Sequence, residues 1–277
     1  MLLLSLFQIG FQYANTGDFV NKGVSLKGGS TITVATSLNQ GEIDQLQETL
    51  SASFNYADVS VRSLSSAGQV TAITVESSLQ EGSELDSLTN MVSNLTEVAA
   101  SEFSVEITGS SLGDSFFKQT MVALLVAFLL MGVVVFIYFR SPVPSLAVIL
   151  AAASDIICTV AVFNLTGEKL STAGIVALLM LIDYSVDTDI IVTTKLLKKQ
   201  QKPIMQRVYD AMKTGLTMTG TTLIVITITV FLVKSDIVKQ IMLILFIGLL
   251  IDLVMTWIQN VGILRSHLER KGGSTKK

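Results

Sequence analysis

The segment STAGIVALLMLIDYSVDTDIIVTTK (residues 171–195) is long and apolar enough to cross a membrane, yet it carries three carboxylates. A carboxylate in hydrocarbon is costly, and such residues normally face a bundle interior or a wet cavity. Asp183 and Asp187 are four residues apart, so a helix places them on one face, whereas Asp189 points elsewhere. The segment predicts a helix with acids that either lie near its end or are sheltered by a bundle, and we favour shelter.

The composition of the chain is that of a membrane protein. Half of the 277 residues are apolar and 15% are charged, whereas about a quarter are charged in soluble chains. The single cysteine, Cys158, excludes an intrachain disulfide and a cysteine metal cluster. The single histidine, His267, argues against zinc sites and Ser-His-Asp chemistry. We therefore expect no metal, no cofactor and no enzymatic activity.

Charge divides the chain into two regions. Residues 17–115 hold three basic and thirteen acidic residues, a net charge of −10, and the remainder has a net charge of +7. This asymmetry indicates two compartments and not a nucleic-acid binder.

Residues 17–115 have the pattern of a compact α+β domain. Alternating and helical apolar spacings predict the order β-α-β-β-α-β, which is the ferredoxin-like arrangement. The predicted strands cover 30–36, 58–64, 70–75 and 103–108, the helices 42–54 and 85–98, and a turn covers 65–68.

The rest of the chain predicts membrane helices. Residues 1–16 are shorter than the roughly 20 residues needed to span a bilayer, so we expect a first transmembrane helix that lacks its cytoplasmic start. Residues 116–264 predict a five-helix region, and 265–277 a basic cytoplasmic tail. The fold class is then a membrane all-α bundle of six transmembrane helices with an inserted extracytoplasmic ferredoxin-like domain. The five later spans cover 121–139, 143–163, 171–194, 214–233 and 241–264.

Basic residues in short loops predict the orientation. Twelve Lys and Arg residues lie on the face that holds Arg140, the loop at 195–213 and the C-terminal tail, against three on the opposite face. The face with twelve is expected to be cytoplasmic. This predicts a multi-pass protein of the cell membrane, with residues 17–115 outside and the C-terminus inside.

Three predicted spans each bring a carboxylate to the central layer, namely Asp155, Asp183 and Asp252. Asp187 lies about one turn further toward the cytoplasm, and Asp189 further again. The spans carry no Lys or Arg at that depth, and like charges in a low-dielectric layer favour the neutral form. These five aspartates are therefore candidates for a proton or ion relay.

Two other interpretations of these acids stay open. They can act as structural contacts, hydrogen-bonded to hydroxyl groups of neighbouring helices, or be neutralised by a basic group of a partner subunit. The candidate polar packing or relay residues are Thr188, Thr219, Thr221 and Thr222.

Four motifs run across almost the entire chain. They are GDFV…KGGS (17–30), IDYSVDTDIIVTTKLLK (182–198), TGLTMTGTT (214–222) and DLVMTWIQNVGIL (252–264). Together they resemble the SecF family, the SecF subunit of the SecDF protein-export complex, in its archaeal form. The resemblance implies an RND-like membrane protein that works beside a SecD-like subunit and a SecY-type channel on a translocating polypeptide, within the lipid membrane and driven by an ion gradient. It also implies that a protonation change in the bundle moves the outer domain.

The match departs from the bacterial pattern in one place. Bacterial relatives read YSVNDT where residues 184–189 read YSVDTD, so the bacterial aspartate falls on Thr188. Asp187 matches the aspartate of the corresponding SecD motif.

Two alternatives come from other classes of protein. Paired aspartates on different helices can activate water, as in an intramembrane aspartyl protease, but the stretch lacks the Gly-x-Gly-Asp and Tyr-Asp patterns of such enzymes. A six-span plan alone also permits half of an RND-type small-molecule exporter.

Overall fold

The computed structural model describes residues 1–66, 69–198, 203–233 and 235–274. Within these ranges the chain is mostly helical and contains one four-stranded antiparallel sheet. The end of the predicted turn at 65–68 lies outside the described residues. So do five basic residues used for the orientation, Lys199, Lys202, Lys234, Lys276 and Lys277.

The N-terminal part of the chain forms one helix followed by a domain built on the sheet, which we call the sheet domain. Its strands lie in the order β2-β3-β1-β4, and every neighbouring pair is antiparallel. The elements are α1 (Leu2–Thr16), α2 (Val24–Lys27), β1 (Gly29–Val34), α3 (Gln40–Ser53), β2 (Val59–Ser66), β3 (Gln69–Ser77), α4 (Ser83–Thr96), a 3-10 turn (Ala100–Glu102) and β4 (Ser104–Thr108).

Local signals explain where these elements begin and how they pack. Asn39 and Glu42 form a reciprocal capping box at the start of α3, with bonds of 3.0 and 2.8 Å. The apolar faces of α3 and α4 then cover one face of the sheet. The core they form includes Ile32, Val34, Ile43, Leu46, Leu50, Ile73, Val75, Leu88 and Val92.

The C-terminal part is a helical bundle. Its elements are α5 (Ser110–Phe139), α6 (Pro142–Leu165), α7 (Thr172–Lys198), α8 (Ile204–Leu232), α9 (Asp236–Val254), a π-helix (Met255–Asn260) and α10 (Val261–Ser274). Within the described residues, four helices are long and apolar enough to cross a membrane: α5, α6, α8 and the continuous helix Ile237–Arg270. Helix α7 has 27 residues and is therefore also long enough to cross a membrane. It differs from these four helices because it carries three aspartates in its apolar stretch.

Helices α6, α7 and α9 form the centre of the bundle. More than half of the apolar stretch of α6 is buried (56%), whereas α5 lies at the periphery with 6% buried. Close packing at the centre depends on Gly248 of α9, since an added Cβ there would lie 2.5 Å from the Leu181 side chain of α7. The backbone of α9 at Gly248 therefore lies directly against the Leu181 side chain of α7, and there is no space for a larger side chain between the two helices.

A glycine-rich junction joins the sheet domain to the bundle. Gly28 has φ +90°, and a Cβ at this position would lie 2.5 Å from Cα of Ser110 in the first turn of α5. A Cβ on Gly113 would in turn lie 2.7 Å from the Gly28 nitrogen. The Gly28-Gly29 pair at the start of β1 therefore provides both a positive-φ backbone and a close approach to α5.

Candidate functional site

The structure brings one aspartate from each central helix into a single buried cluster. Asp155 of α6, Asp189 of α7 and Asp252 of α9 all have no exposed surface. None of them forms an ion pair with another described residue, and the charged groups that face them are one another. We refer to these three residues as the acidic cluster. Buried carboxyl groups without a counter-charge are costly, which is typical of a functional site.

Side-chain donors from α7 and the π-helix hold the acidic cluster. Ser185 Oγ donates a 2.5 Å hydrogen bond to Asp155 Oδ2. Asn260 Nδ2 donates to Asp189 Oδ1 at 2.7 Å, and Thr256 Oγ1 lies 2.9 Å from the same oxygen. Each carboxyl group is therefore oriented by at least one fixed polar partner.

Thr256 connects two of the carboxyl groups. Its hydroxyl oxygen lies 2.9 Å from Asp189 Oδ1 and 3.1 Å from Asp252 Oδ1. A hydroxyl group has one proton, so it can donate to only one of the two carboxylates at a time. Both contacts are satisfied together only when one carboxyl group is protonated and donates to the Thr256 oxygen.

Asp155 lies on the third side of the cluster, beside the other two carboxyl groups, and Ser185 of α7 is its hydrogen-bond donor. Among the described residues, one oxygen of each aspartate has no hydrogen-bond partner, namely Asp155 Oδ1, Asp189 Oδ2 and Asp252 Oδ2. The cluster therefore contains three buried carboxyl oxygens that no described donor satisfies. No group of three Asp, Glu, His or Cys residues in the described ranges could hold a metal ion.

The π-helix places the donors. Asp252, Thr256 and Asn260 are spaced by four residues, and in a continuous α-helix such a row drifts steadily around the axis. The segment from Met255 to Asn260 is π-helical and has more residues per turn than an α-helix. The extra residue reverses the drift, so Thr256 and Asn260 both face the acidic cluster. Such single π turns are frequent at functional sites.

Asp183 and Asp187 lie on the opposite, outward face of α7. Both are exposed, in company with Val176, Met180 and Tyr184. Although Asp183 was predicted at the same depth as Asp155 and Asp252, it is Asp189 that lies beside them in the structure. The reason is rotational, since Asp189 follows Asp187 by two residues and so lies about 200° around the helix.

The four predicted threonines do not contact the acidic cluster. Thr188 is buried and donates to its own helix at Tyr184 O (3.2 Å). Thr221 and Thr222 also bond to the backbone of their own helix, and Thr221 is exposed. Thr219 is buried, and its hydroxyl has no partner among the described residues.

Sequence reasoning missed Ser185, Thr256 and Asn260. A usable signal was present, because each lies at helical spacing from an aspartate that it supports or accompanies. Ser185 precedes Asp189 by four residues, and Thr256 and Asn260 follow Asp252 by four and eight.

The fold and the acidic cluster define a membrane protein with three buried aspartates inside a helical bundle. Its similarity to known proteins identifies the family. Residues 87–270 match the family described as "Protein export membrane protein SecD/SecF, C-terminal". The chain therefore belongs to the SecF family of protein-export membrane proteins.

Similar archaeal proteins support this assignment over nearly the whole chain. The protein-export membrane protein SecF of Methanocaldococcus jannaschii is 36% identical over 97% of this chain and 92% of the relative. The SecF of Methanothermobacter thermautotrophicus is 41% identical over 90% and 85%, and that of Pyrococcus furiosus 35% over 94% and 86%.

A solved structure shows the same fold. The crystal structure of SecDF, a translocon-associated membrane protein from Thermus thermophilus, matches with a TM-score of 0.71 at 19% identity. The match covers 97% of this chain and 37% of the SecDF chain, so this chain corresponds to about a third of that protein. The intramembrane protease and the small-molecule exporter find no support in these comparisons.

Proposed function

We propose that this chain is an accessory membrane subunit of Sec-dependent protein export. It acts with a SecD-like subunit and a SecY-type channel on a polypeptide that leaves the channel on the outer side of the cell membrane. The SecF relatives and the SecDF fold support the export role. The SecDF chain also supports the SecD-like partner, since it is much longer than the part that this chain matches.

The acidic cluster is the single observation that supports ion coupling. Asp189 and Asp252 share the Thr256 hydroxyl group, and this pair of contacts needs a proton on one of the two carboxyl groups. Asp155, Asp189 and Asp252 also each have one carboxyl oxygen without a hydrogen-bond partner among the described residues. Asp189 replaces the bacterial relay aspartate in this proposal, since it is buried in the cluster whereas Asp187 is exposed. A proton that enters or leaves rearranges the bonds between α6, α7 and α9.

The architecture proposed for this role has six membrane spans and a ferredoxin-like outer domain (residues 17–115). Helix α1, the four apolar helices and α7 would provide the spans. The strand order β2-β3-β1-β4, with α3 and α4 on one face, supports the ferredoxin-like assignment. The distribution of basic residues supports a cytoplasmic C-terminus (265–277).

The outward face of α7 supports a partner interface. Asp183 and Asp187 are exposed in the middle of a membrane-length helix, and a carboxylate in contact with lipid tails is costly. The SecD-like subunit would cover this face and offer polar or basic groups at the same depth. The relay and the partner interface thus occupy opposite faces of one helix.

The test is Asp189→Asn in cells that depend on this chain, with secretion of a signal-peptide reporter as the measurement. Asparagine keeps the shape but cannot release a proton, so secretion should fall severalfold while the amount of chain in the membrane is unchanged. Asp189→Glu should keep part of the activity, and Glu102→Gln, an exposed acid of the sheet domain, should have no effect. Normal secretion by Asp189→Asn would make the acidic cluster a structural feature.

A further inference from the structure

The loop between α6 and α7 (residues 166–171, the α6–α7 loop) connects the bundle to the sheet domain. Lys169 Nζ forms an ion pair and hydrogen bond with Asp58, the residue before β2. The backbone nitrogen of Asp58 is itself held by the Ser78 hydroxyl at 3.0 Å. The Lys169 side chain therefore ends on a fixed point of the sheet domain.

Gln240 of α9 fixes the other side of this loop. Its Nε2 donates to Lys169 O at 2.6 Å, and its Oε1 accepts from Ser171 N at 3.2 Å and from the Ser171 hydroxyl. Gln240 is buried, so these bonds are shielded from water. The side-chain amide of one α9 residue thus binds Lys169 and Ser171, on either side of Leu170.

The same loop is tied to the segment that leads from α1 into the sheet domain. Leu170 N donates to Asn21 O at 2.7 Å, and Gly23 N donates to Leu170 O at 2.9 Å. Asn164 Nδ2, at the end of α6, donates to Phe19 O at 2.9 Å. A movement of the α6–α7 loop must therefore be accompanied by this segment.

Clefts flank the contact between Lys169 and Asp58. A cleft of about 640 Å³ separates α3 and β2 from the ends of α8 and α9 on one side. A second cleft of about 320 Å³ lies beside the residues that follow α1. The contact between Lys169 and Asp58 therefore lies between two clefts.

The α6–α7 loop is connected to all three central helices. It follows α6 and precedes α7 directly, and Gln240 binds it to α9. These three helices carry Asp155, Asp189 and Asp252. We propose that Gln240 and Lys169 are positioning residues through which a rearrangement of the acidic cluster tilts the sheet domain about Asp58. This inference rests on the proposed function of the acidic cluster as an ion relay.

The test measures the tilt by pulsed EPR in the chain assembled with its partner in lipid nanodiscs. Nitroxide labels are attached at Glu48→Cys, exposed on α3, and at Phe231→Cys, which is 83% exposed at the end of α8. Cys158 is fully buried and should stay unlabelled. The distance between the labels should shift between mildly alkaline and mildly acidic buffer, and Asp189→Asn should abolish the shift.

Gln240→Leu and Lys169→Asp should abolish the shift as well, while the double variant Lys169→Asp with Asp58→Lys should restore it. Gln45→Leu on the exposed face of α3 and Arg265→Asp in the exposed pair with Glu269 are the matched controls and should keep it. Restoration by the swapped pair separates positioning from a loss of folding.

Two results would overturn the inference. In the first, Asp189→Asn abolishes the pH-dependent shift in the label distance, but Gln240→Leu and Lys169→Asp retain it. This result would contradict the positioning role of Gln240 and Lys169 and leave the relay intact. The other is a wild-type distance that does not respond to pH. The proposed function fails separately, if Asp189→Asn leaves secretion normal.

Discussion

Asn260 Nδ2 on the π-helix donates a 2.7 Å hydrogen bond to Oδ1 of Asp189 on α7. An amide nitrogen only donates, so Oδ1 of Asp189 must act as an acceptor. A proton on Asp189 is therefore directed to Oδ2, the oxygen that has no hydrogen-bond partner within the described part of the chain. One neutral side chain thus sets both the orientation of the carboxyl group and the atom that carries its proton.

The bridging hydroxyl of Thr256 provides the first prediction. Thr256→Val keeps the shape but removes the group that contacts both Asp189 and Asp252. The loss should lower the free energy of unfolding by about 1–3 kcal/mol, the cost of a buried polar group that loses its partner. Thermal unfolding in detergent measures this effect, and secretion should fall in parallel.

Thr221→Val is the matched control for that substitution. Thr221 is exposed and bonds only to the backbone of its own helix, so its replacement should change stability by less than about 0.5 kcal/mol. Equal effects of the two substitutions would count against a special role for Thr256.

Glycine packing at the centre provides the second prediction. Gly248→Ala would push a methyl group to within 2.5 Å of Leu181, so it should destabilise the bundle by about 1–3 kcal/mol through overpacking. At Gly220 of α8, the matched control, an added Cβ would meet no atom of the described residues within 4 Å. Gly220→Ala should be neutral or stabilising by up to about 1 kcal/mol, the helix-propensity gain of alanine. A melting temperature that Gly248→Ala leaves unchanged would refute tight α7–α9 packing.

The outward face of α7 provides the third prediction. The double variant Asp183→Leu with Asp187→Leu should lose co-purification of the SecD-like subunit, because the polar complement of that subunit is then left unpaired. Affinity purification from native membranes measures this loss. If the face instead contacts lipid, the leucines should stabilise the isolated chain and leave the set of co-purifying proteins as it is.

Assembly with the partner provides the fourth prediction. A subunit that binds the folded chain stabilises it by mass action. The chain expressed alone should therefore unfold at a lower temperature in detergent than the chain co-expressed with the SecD-like subunit. This difference in unfolding temperature should be smaller for the double variant Asp183→Leu with Asp187→Leu. Equal unfolding temperatures of the lone chain and the pair would argue that the partner does not cover α7.

Much of the fold follows from local sequence patterns. The predicted helix at 42–54 corresponds to α3 (Gln40–Ser53), and the predicted strand at 103–108 to β4 (Ser104–Thr108). Such segments are readable because apolar spacing and caps act within a few residues. Helix ends were harder to place, since α5 begins at Ser110, well before the apolar stretch that starts at residue 121.

The sequence by itself determined that acids lie inside membrane-length helices and that Asp189 faces away from Asp183 and Asp187. Only the tertiary structure decided which of the two faces of α7 is inward, and therefore that Asp189 joins Asp155 and Asp252. The physical reason is that a helix fixes the angle between its residues but not its rotation against its neighbours. That rotation depends on packing contacts such as Leu181 against Gly248, which lie far apart in the chain.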